Sequence, residues 1–267
     1  MVALLSSLKP TARQRVGRLS SYLVGIIFIV LVIVVADWPT IAKQFANPEV
    51  AAKMWPGIVT IALRNTLLYT IASFILGSLL GILLAVLKVA GGPLGWFAIG
   101  FIELFRGIPA LLTIFAFAFV VPIAFNVQVP GGAVGAGILG LTVVTGAYTA
   151  EIIRSGIEAV SPGQREAARS LGMTSGQTMF WIILPQGLRI VIPPMTNEFV
   201  MLLKDSSLLF IAGATVQSKE LTTFARDSLS QTANATPLMM AALLYLLVTL
   251  PLTWLVGRLE KRLDPKR

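Results

Sequence analysis

A handful of ionisable and amide side chains sit inside otherwise apolar sequence, and their spacing restricts what they can do. Asn197 and Lys204 are seven apart and share one face of a helix, while Glu198 and Asp205 share the adjacent face. Asn197 lies roughly 15 Å along a span entered near Gln186, close to a bilayer midplane. A charge at that depth costs about 3 kcal/mol, so it faces a partner or a wet cavity. One reading of the four is a path for a polar solute. The other is that Lys204 and Asp205 neutralise local charge near the outer surface. Thr145 and Tyr148, with Thr142, can face the same path, although threonine is also ordinary interhelix glue. Glu103 and Arg106 are three apart, as are Glu151 and Arg154, all near inner ends of spans. Ion pairs on helix surfaces at headgroup level are favoured there over a gating role. On the first reading this is chemistry for holding and passing a polar solute. The chain has no histidine and no cysteine, which removes the usual general base, thiolate metal sites and disulfides.

The elements that must position these residues are membrane helices. Of 267 residues 56% are hydrophobic and only 12% charged, and the mean hydropathy is +0.84. Soluble domains carry about 25% charged residues, so the expected fold class is all-α and polytopic. Six spans are expected: 22–36, 60–87, 99–121, one beginning after the Gly-rich turn 130–137 and ending near Arg154, 186–212, and 237–257. The third is interrupted near its start by Arg106-Gly107-Ile108-Pro109, and the fifth is expected to break at Pro193-Pro194. Gly77 and Gly81 allow close helix contact on the second. The first span is read as an uncleaved helix, with a cleaved signal as the alternative. Residues 1–20 form a basic segment, 21–56 the first helix and a mildly polar external loop, and 261–267 a basic tail.

A net charge of +9 would suggest nucleic acid in a soluble protein. Here the cations cluster before span one, at the exit of span two, at 154–189 and after span six, all on one side of a six-span map. The positive-inside rule puts that side, with both termini, in the cytoplasm.

The longest polar run, 161–184, then lies in the cytoplasm. Ser161, Pro162 and Gln164 spell a capping box that opens a short helix through Glu166, Ala167 and Ala168. Gly172 stops it, and Thr174 with Gln177 repeat the capping spacing for a second helix. Ala167, Ala168 and Leu171 make a small, smooth stripe suited to docking. The spacing imitates a DNA-binding helix-turn-helix, but Ser175 to Leu184 has no Lys or Arg, and the flanks are membrane helices. No phosphate-binding G-x-x-x-x-G-K-[ST] run occurs.

Glu166-Ala167-Ala168, Gly172 and Ile183-Leu184-Pro185 resemble the EAA loop of bacterial ABC-importer permeases. Glu103-Leu-Phe-Arg-Gly-Ile-Pro109 resembles that family's E-x-F-R-G-x-P run, and Gly146-Ala-Tyr-Thr-Ala-Glu151 with Arg154 its G-A-Y-x-A-E-x-x-R run. Gly163-Gln164, Pro185-Gln186 and Lys204-Asp-Ser-Ser-Leu208 are also typical, and together they resemble the polar amino-acid uptake branch over about residues 57–260. The chain departs in having an extra N-terminal helix, Ser206 where Thr is common, and Gly187 where Ala is common.

The resemblance implies a five-helix type I importer core plus the extra helix, in a bacterial inner membrane. It implies a second permease subunit (identical or paralogous), two ATP-binding subunits and an extracytoplasmic solute-binding protein that delivers an amino acid. ATP and Mg would be bound by the partner ATPase, with no cofactor in this chain and no nucleic acid. Gln164, Glu166, Ala167, Ala168, Leu171 and Gly172 would form the ATPase-coupling loop. An internal acidic group favours neutral polar or basic amino acids over acidic ones. The alternative is an ion-coupled secondary transporter or channel, for which no inverted repeat is seen in the sequence.

Overall fold

A computed structural model describes residues 10–263, with side chains from residue 19 onward. Lys9, Lys266 and Arg267 lie outside the described residues, and only the backbone of Arg13, Arg15 and Arg18 is described. The chain divides between Asn47 and Pro48 into two units. The first holds α1 (Pro10–Val35) and α2 (Trp38–Phe45). The second begins with α3 (Pro48–Met54), and a π-helical turn, Ile58–Leu63, leads into α4 (Arg64–Ala90). Then come α5 (Gly92–Gly107), α6 (Ala110–Phe115), α7 (Val121–Phe125) and α8 (Gly132–Glu158). The remainder is α9 (Pro162–Ser170), α10 (Ser175–Thr178), α11 (Leu184–Asp205), α12 (Leu221–Thr232) and α13 (Thr236–Leu263). No strand occurs among the described residues. Among the described residues four helices are long and apolar enough to cross a membrane, and the number reaches six if each of two bent helix pairs counts as one span.

The central pair is α4 against α8. In a bilayer helices gain little from burying apolar surface, so association rests on close packing between small residues. A Cβ added at Gly77 would lie 2.7 Å from Thr145 Cβ, and one at Gly81 would lie 2.6 Å from Thr149 Cβ. Only glycine permits that approach. Helix α8 is itself lined with Gly137, Gly140, Gly146 and Gly156, all buried, so neighbours pack on it from several sides. Leu84, Ala85, Ala98, Ile102 and Ala150 form one apolar cluster between α4, α5 and α8. Ile114, Leu141, Leu202 and Leu209 form another between α6, α8, the end of α11 and the 3-10 turn Ser206–Ala212 that follows it.

One expected interruption is present, and two expectations about the elements are corrected. The third span breaks at Arg106-Gly107-Ile108-Pro109 as expected: α5 and the segment 110–125 meet at a bend of 108°. Pro109 forces the break, because Ile108 ahead of it is held in the extended region (φ −89°, ψ 133°). Conversely, α11 runs unbroken through Pro193 and Pro194. Each proline removes an N–H donor but keeps a φ compatible with a helix, and the surrounding packing carries the chain through. Residues 37–57 are largely helical, not a loop.

At the far end of the second unit, the segment before α12 is tied to the start of α4. Asn65 Nδ2 donates to the carbonyls of Gln217 (2.8 Å) and Lys219 (3.0 Å), and Leu221 N–H donates to Thr66 Oγ1 (3.0 Å). Glu220 caps α12 by accepting from the N–H groups of Thr222 (2.6 Å) and Thr223 (2.7 Å). Burial pushes its carboxyl above the usual range, and those hydrogen bonds oppose the rise.

Candidate translocation site and coupling surface

The bend between α5 and α6 opens a cavity of about 360 Å³ against α8 and α11. Its wall carries Arg106 from the last turn of α5, Thr145 and Tyr148 from α8, and Glu198 and Asp205 from α11. Leu141, Val144, Met201 and Leu202 supply the apolar part. The seven-residue spacing thus brings both α11 carboxylates to one concavity. Asn197 and Lys204 are exposed and absent from that wall, so the two faces of α11 part company here. The Arg106 guanidinium lies 5.6 Å from the centre of the Tyr148 ring.

Immediately beside the cavity is a charged cluster centred on Glu151. Lys88 Nζ at the end of α4 is 3.4 Å from Glu151 Oε2, and Arg106 Nη1 is 3.8 Å from the same oxygen. Arg154 donates to Glu151 through Nε (3.1 Å) and Nη2, and to Glu158 through Nη1. The expected Glu151–Arg154 pair is therefore present within a larger cluster. The expected Glu103–Arg106 pair is not: α5 ends one residue after Arg106, and from that last turn its side chain reaches α8, while Glu103 is exposed. Sequence reasoning missed the meeting of Lys88 and Arg106 on Glu151. The signal was present, in that each sits at an end of a span on the same side, but spacing within one helix says nothing of contacts between helices.

The polar pair 161–184 folds as two helices, with differences of detail. Ser161 takes the N-cap position but makes no side-chain capping bond; the first turn is closed by Gln164 N–H donating to the Ser161 carbonyl (3.0 Å). The Thr174–Gln177 capping box is complete. Gly172, at φ +84°, ends α9 in a Schellman turn. Gly172 N–H donates to Arg169 O (3.0 Å) and Met173 N–H to Ala168 O (3.2 Å). The docking stripe is corrected in one respect. Ala168 is only 4% exposed, in contact within the chain, so it supports α9 and does not present a surface. Leu171 is 84% exposed, and Gln164, Glu166 and Ala167 are exposed with it. Helix α9 packs on the π-helical turn Met179–Ile183, which continues directly into α11.

A bundle of long apolar helices around a cavity that carries charged side chains, with an amphipathic helix pair exposing a leucine, is the architecture of a solute-translocating membrane subunit. Residues 77–265 match the model of the binding-protein-dependent transport system inner membrane component, and the chain belongs to that family. It is similar to the probable glutamine ABC transporter permease protein GlnM of Bacillus subtilis (40% identity over 75% of this chain and 90% of that one). It is also similar to the glutamine transport system permease protein GlnP of Escherichia coli K12 (30% identity over 79% of this chain and 95% of that one). A solved structure described as an amino acid ABC transporter with histidines superposes with a TM-score of 0.72, at 33% identity, covering 79% of this chain and 96% of that one. The chain is thus an ABC-transporter permease, and the readings as a secondary transporter, channel or DNA-binding regulator are not favoured.

Proposed function

We propose that the chain forms the path for a polar amino acid in an ATP-driven importer. The observation that carries this reading is the cavity with Arg106 on one side and Glu198 and Asp205 on another. A free amino acid brings a carboxylate and an ammonium, and taking both out of water is unfavourable unless each meets a partner. Arg106 is the fork-shaped donor suited to a carboxylate, and the α11 carboxylates are acceptors suited to an ammonium. Relatives named for glutamine transport support a zwitterion as the solute.

In this reading a second permease subunit, two ATP-binding subunits and an extracytoplasmic solute-binding protein complete the transporter. The partner ATPase holds ATP and Mg, and hydrolysis is its work. Leu171, Ala167, Glu166 and Gln164 meet the ATPase, with Gly172 fixing the end of the helix that presents them. Access alternates as the ATPase closes and opens, a two-state shift driven by differential contacts. The chain lies in a bacterial inner membrane with both termini and the 161–185 loop in the cytoplasm, as the loop charges support. The test is reconstitution in proteoliposomes with an ATPase and a binding protein. Amino-acid uptake should require ATP and the binding protein; uptake driven by an ion gradient without the ATPase would overturn the reading.

A further inference from the structure

We propose that α2 is an interfacial helix, seated on the lipid headgroup region on the side of the membrane where α1 ends. It is eight residues long, and Trp38, Ile41, Ala42 and Phe45 follow the spacing of one helical face, with Thr40, Lys43 and Gln44 on the other. None of its residues is buried, and Trp38, Ile41 and Phe45 are all exposed. A bare aromatic and aliphatic face on a short helix fits an apolar–aqueous boundary.

The occupant follows from continuity with α1. From Tyr22 to Val35 the large apolar side chains of α1 are exposed on every side, as on a helix surrounded by lipid. The change to polar sequence comes at Asp37, whose side-chain oxygens accept from Thr40 N–H (3.1 Å) and Thr40 Oγ1–H (2.6 Å), opening α2. Those two bonds hold the Asp37 carboxyl below its usual range. Trp38 folds back, and its indole N–H donates to the carbonyl of Ile33 (2.7 Å). That carbonyl belongs to the last turn of α1, where no helical N–H follows to bond it. At the membrane edge, where water is scarce, a tryptophan that caps such a carbonyl and shows its ring to lipid is in the position that interfacial tryptophans favour. The exposed face of α2 begins at this same residue, so the surface of α1 continues into it.

The absence of native cysteine makes the test direct. Single cysteines at Ile41, Lys43 and, as a mid-span reference, Ile29 are spin-labelled in the full transporter in lipid nanodiscs. Collision with oxygen, which partitions into lipid, is compared with collision with a water-soluble nickel chelate. The label at Ile41 should favour oxygen severalfold over that at Lys43 and approach the value at Ile29. Equal nickel access at Ile41 and Lys43 would place α2 in water. Shielding of Ile41 from both reagents would mean that another protein surface covers it. Nickel access at Ile29 would show that α1 itself is outside lipid. Each of these three results overturns the proposal. Phe45→Cys should repeat the Ile41 result, so that a local disturbance by one label is not mistaken for it.

Discussion

Arg106 Nη1 stands 3.8 Å from Glu151 Oε2, and the same arginine lines the cavity that holds Glu198 and Asp205. Glu151 is also held by Arg154 and Lys88, so it remains neutralised if Arg106 moves away. Arg106 is the loosest of the three cations, being 40% exposed at its side chain and the most distant. It can therefore turn toward a carboxylate in the cavity at little cost to the cluster.

Removing the hub should cost more than removing this spoke. Glu151→Gln leaves Lys88, Arg106 and Arg154 facing one another, and loss of hydrogen bonds to charged groups runs to about 1.5–3 kcal/mol. A drop in the melting temperature of the purified transporter, larger than that of Arg106→Gln, is expected. In a double-mutant cycle the Arg106–Glu151 coupling should be under about 1 kcal/mol, as for exposed pairs. A coupling as large as that between Arg154 and Glu151 would contradict the loose placement of Arg106.

The cavity separates residues that spacing alone treats alike. Glu198→Gln should lower uptake about tenfold or more, since one charged partner is worth about 1.5–3 kcal/mol. Asn197→Ala should leave uptake near the parent value, because Asn197 lies outside the cavity wall. Both variants should keep basal ATPase activity. Initial rates of labelled amino-acid uptake in proteoliposomes decide this, and the opposite ranking would move the path to the other face of α11.

For coupling, Leu171→Asp is the informative change. The side chain is exposed and supports nothing in this chain, so insertion and melting temperature should be unchanged while binding-protein-stimulated ATP hydrolysis falls to the basal level. Gly172→Val forces a β-branched residue to a positive φ, with strain of about 1–3 kcal/mol, and should lose both coupling and some stability. Ala168→Arg is a poor probe of docking, since Ala168 is buried within the chain. Normal stimulation in Leu171→Asp would remove this surface from the ATPase contact.

Orientation is read with cysteines at Ser175 and Ser230, both exposed. In intact cells an impermeant thiol reagent should spare the first and label the second. The reverse pattern would invert the topology.

Much of the fold was legible because apolar length and turn chemistry are local. Gly172 and the Thr174–Gln177 box lie in the turn their residue types require. The close approach foreseen at Gly77 and Gly81 is present, with Thr145 and Thr149 as the residues approached. What sequence could not supply was contact between elements. Ala168 reads as a surface alanine until α9 is laid on the turn Met179–Ile183. Arg106 reads as the partner of Glu103 until α8 brings Glu151 within its reach. The proline pair misled for another reason: local propensity argues for a break, and tertiary packing overrides it at Pro193 and Pro194 but not at Pro109. For the candidate site, the residue types were visible, but which of Asn197 and Glu198 faces inward depends on where α8 lies.

The stretch from Ser175 to Ala212 is helical throughout its 38 residues, on the order of 55 Å. One end touches α9 and the other carries Glu198 and Asp205 into the cavity. There is no loop along it in which a displacement could be absorbed. In the importer proposed above it would act as a push-rod: a shift imposed on α9 would arrive at the cavity carboxylates as translation or tilt. The prolines and the π-helical turn, where backbone bonding is thinnest, are the points at which that rod would flex under load.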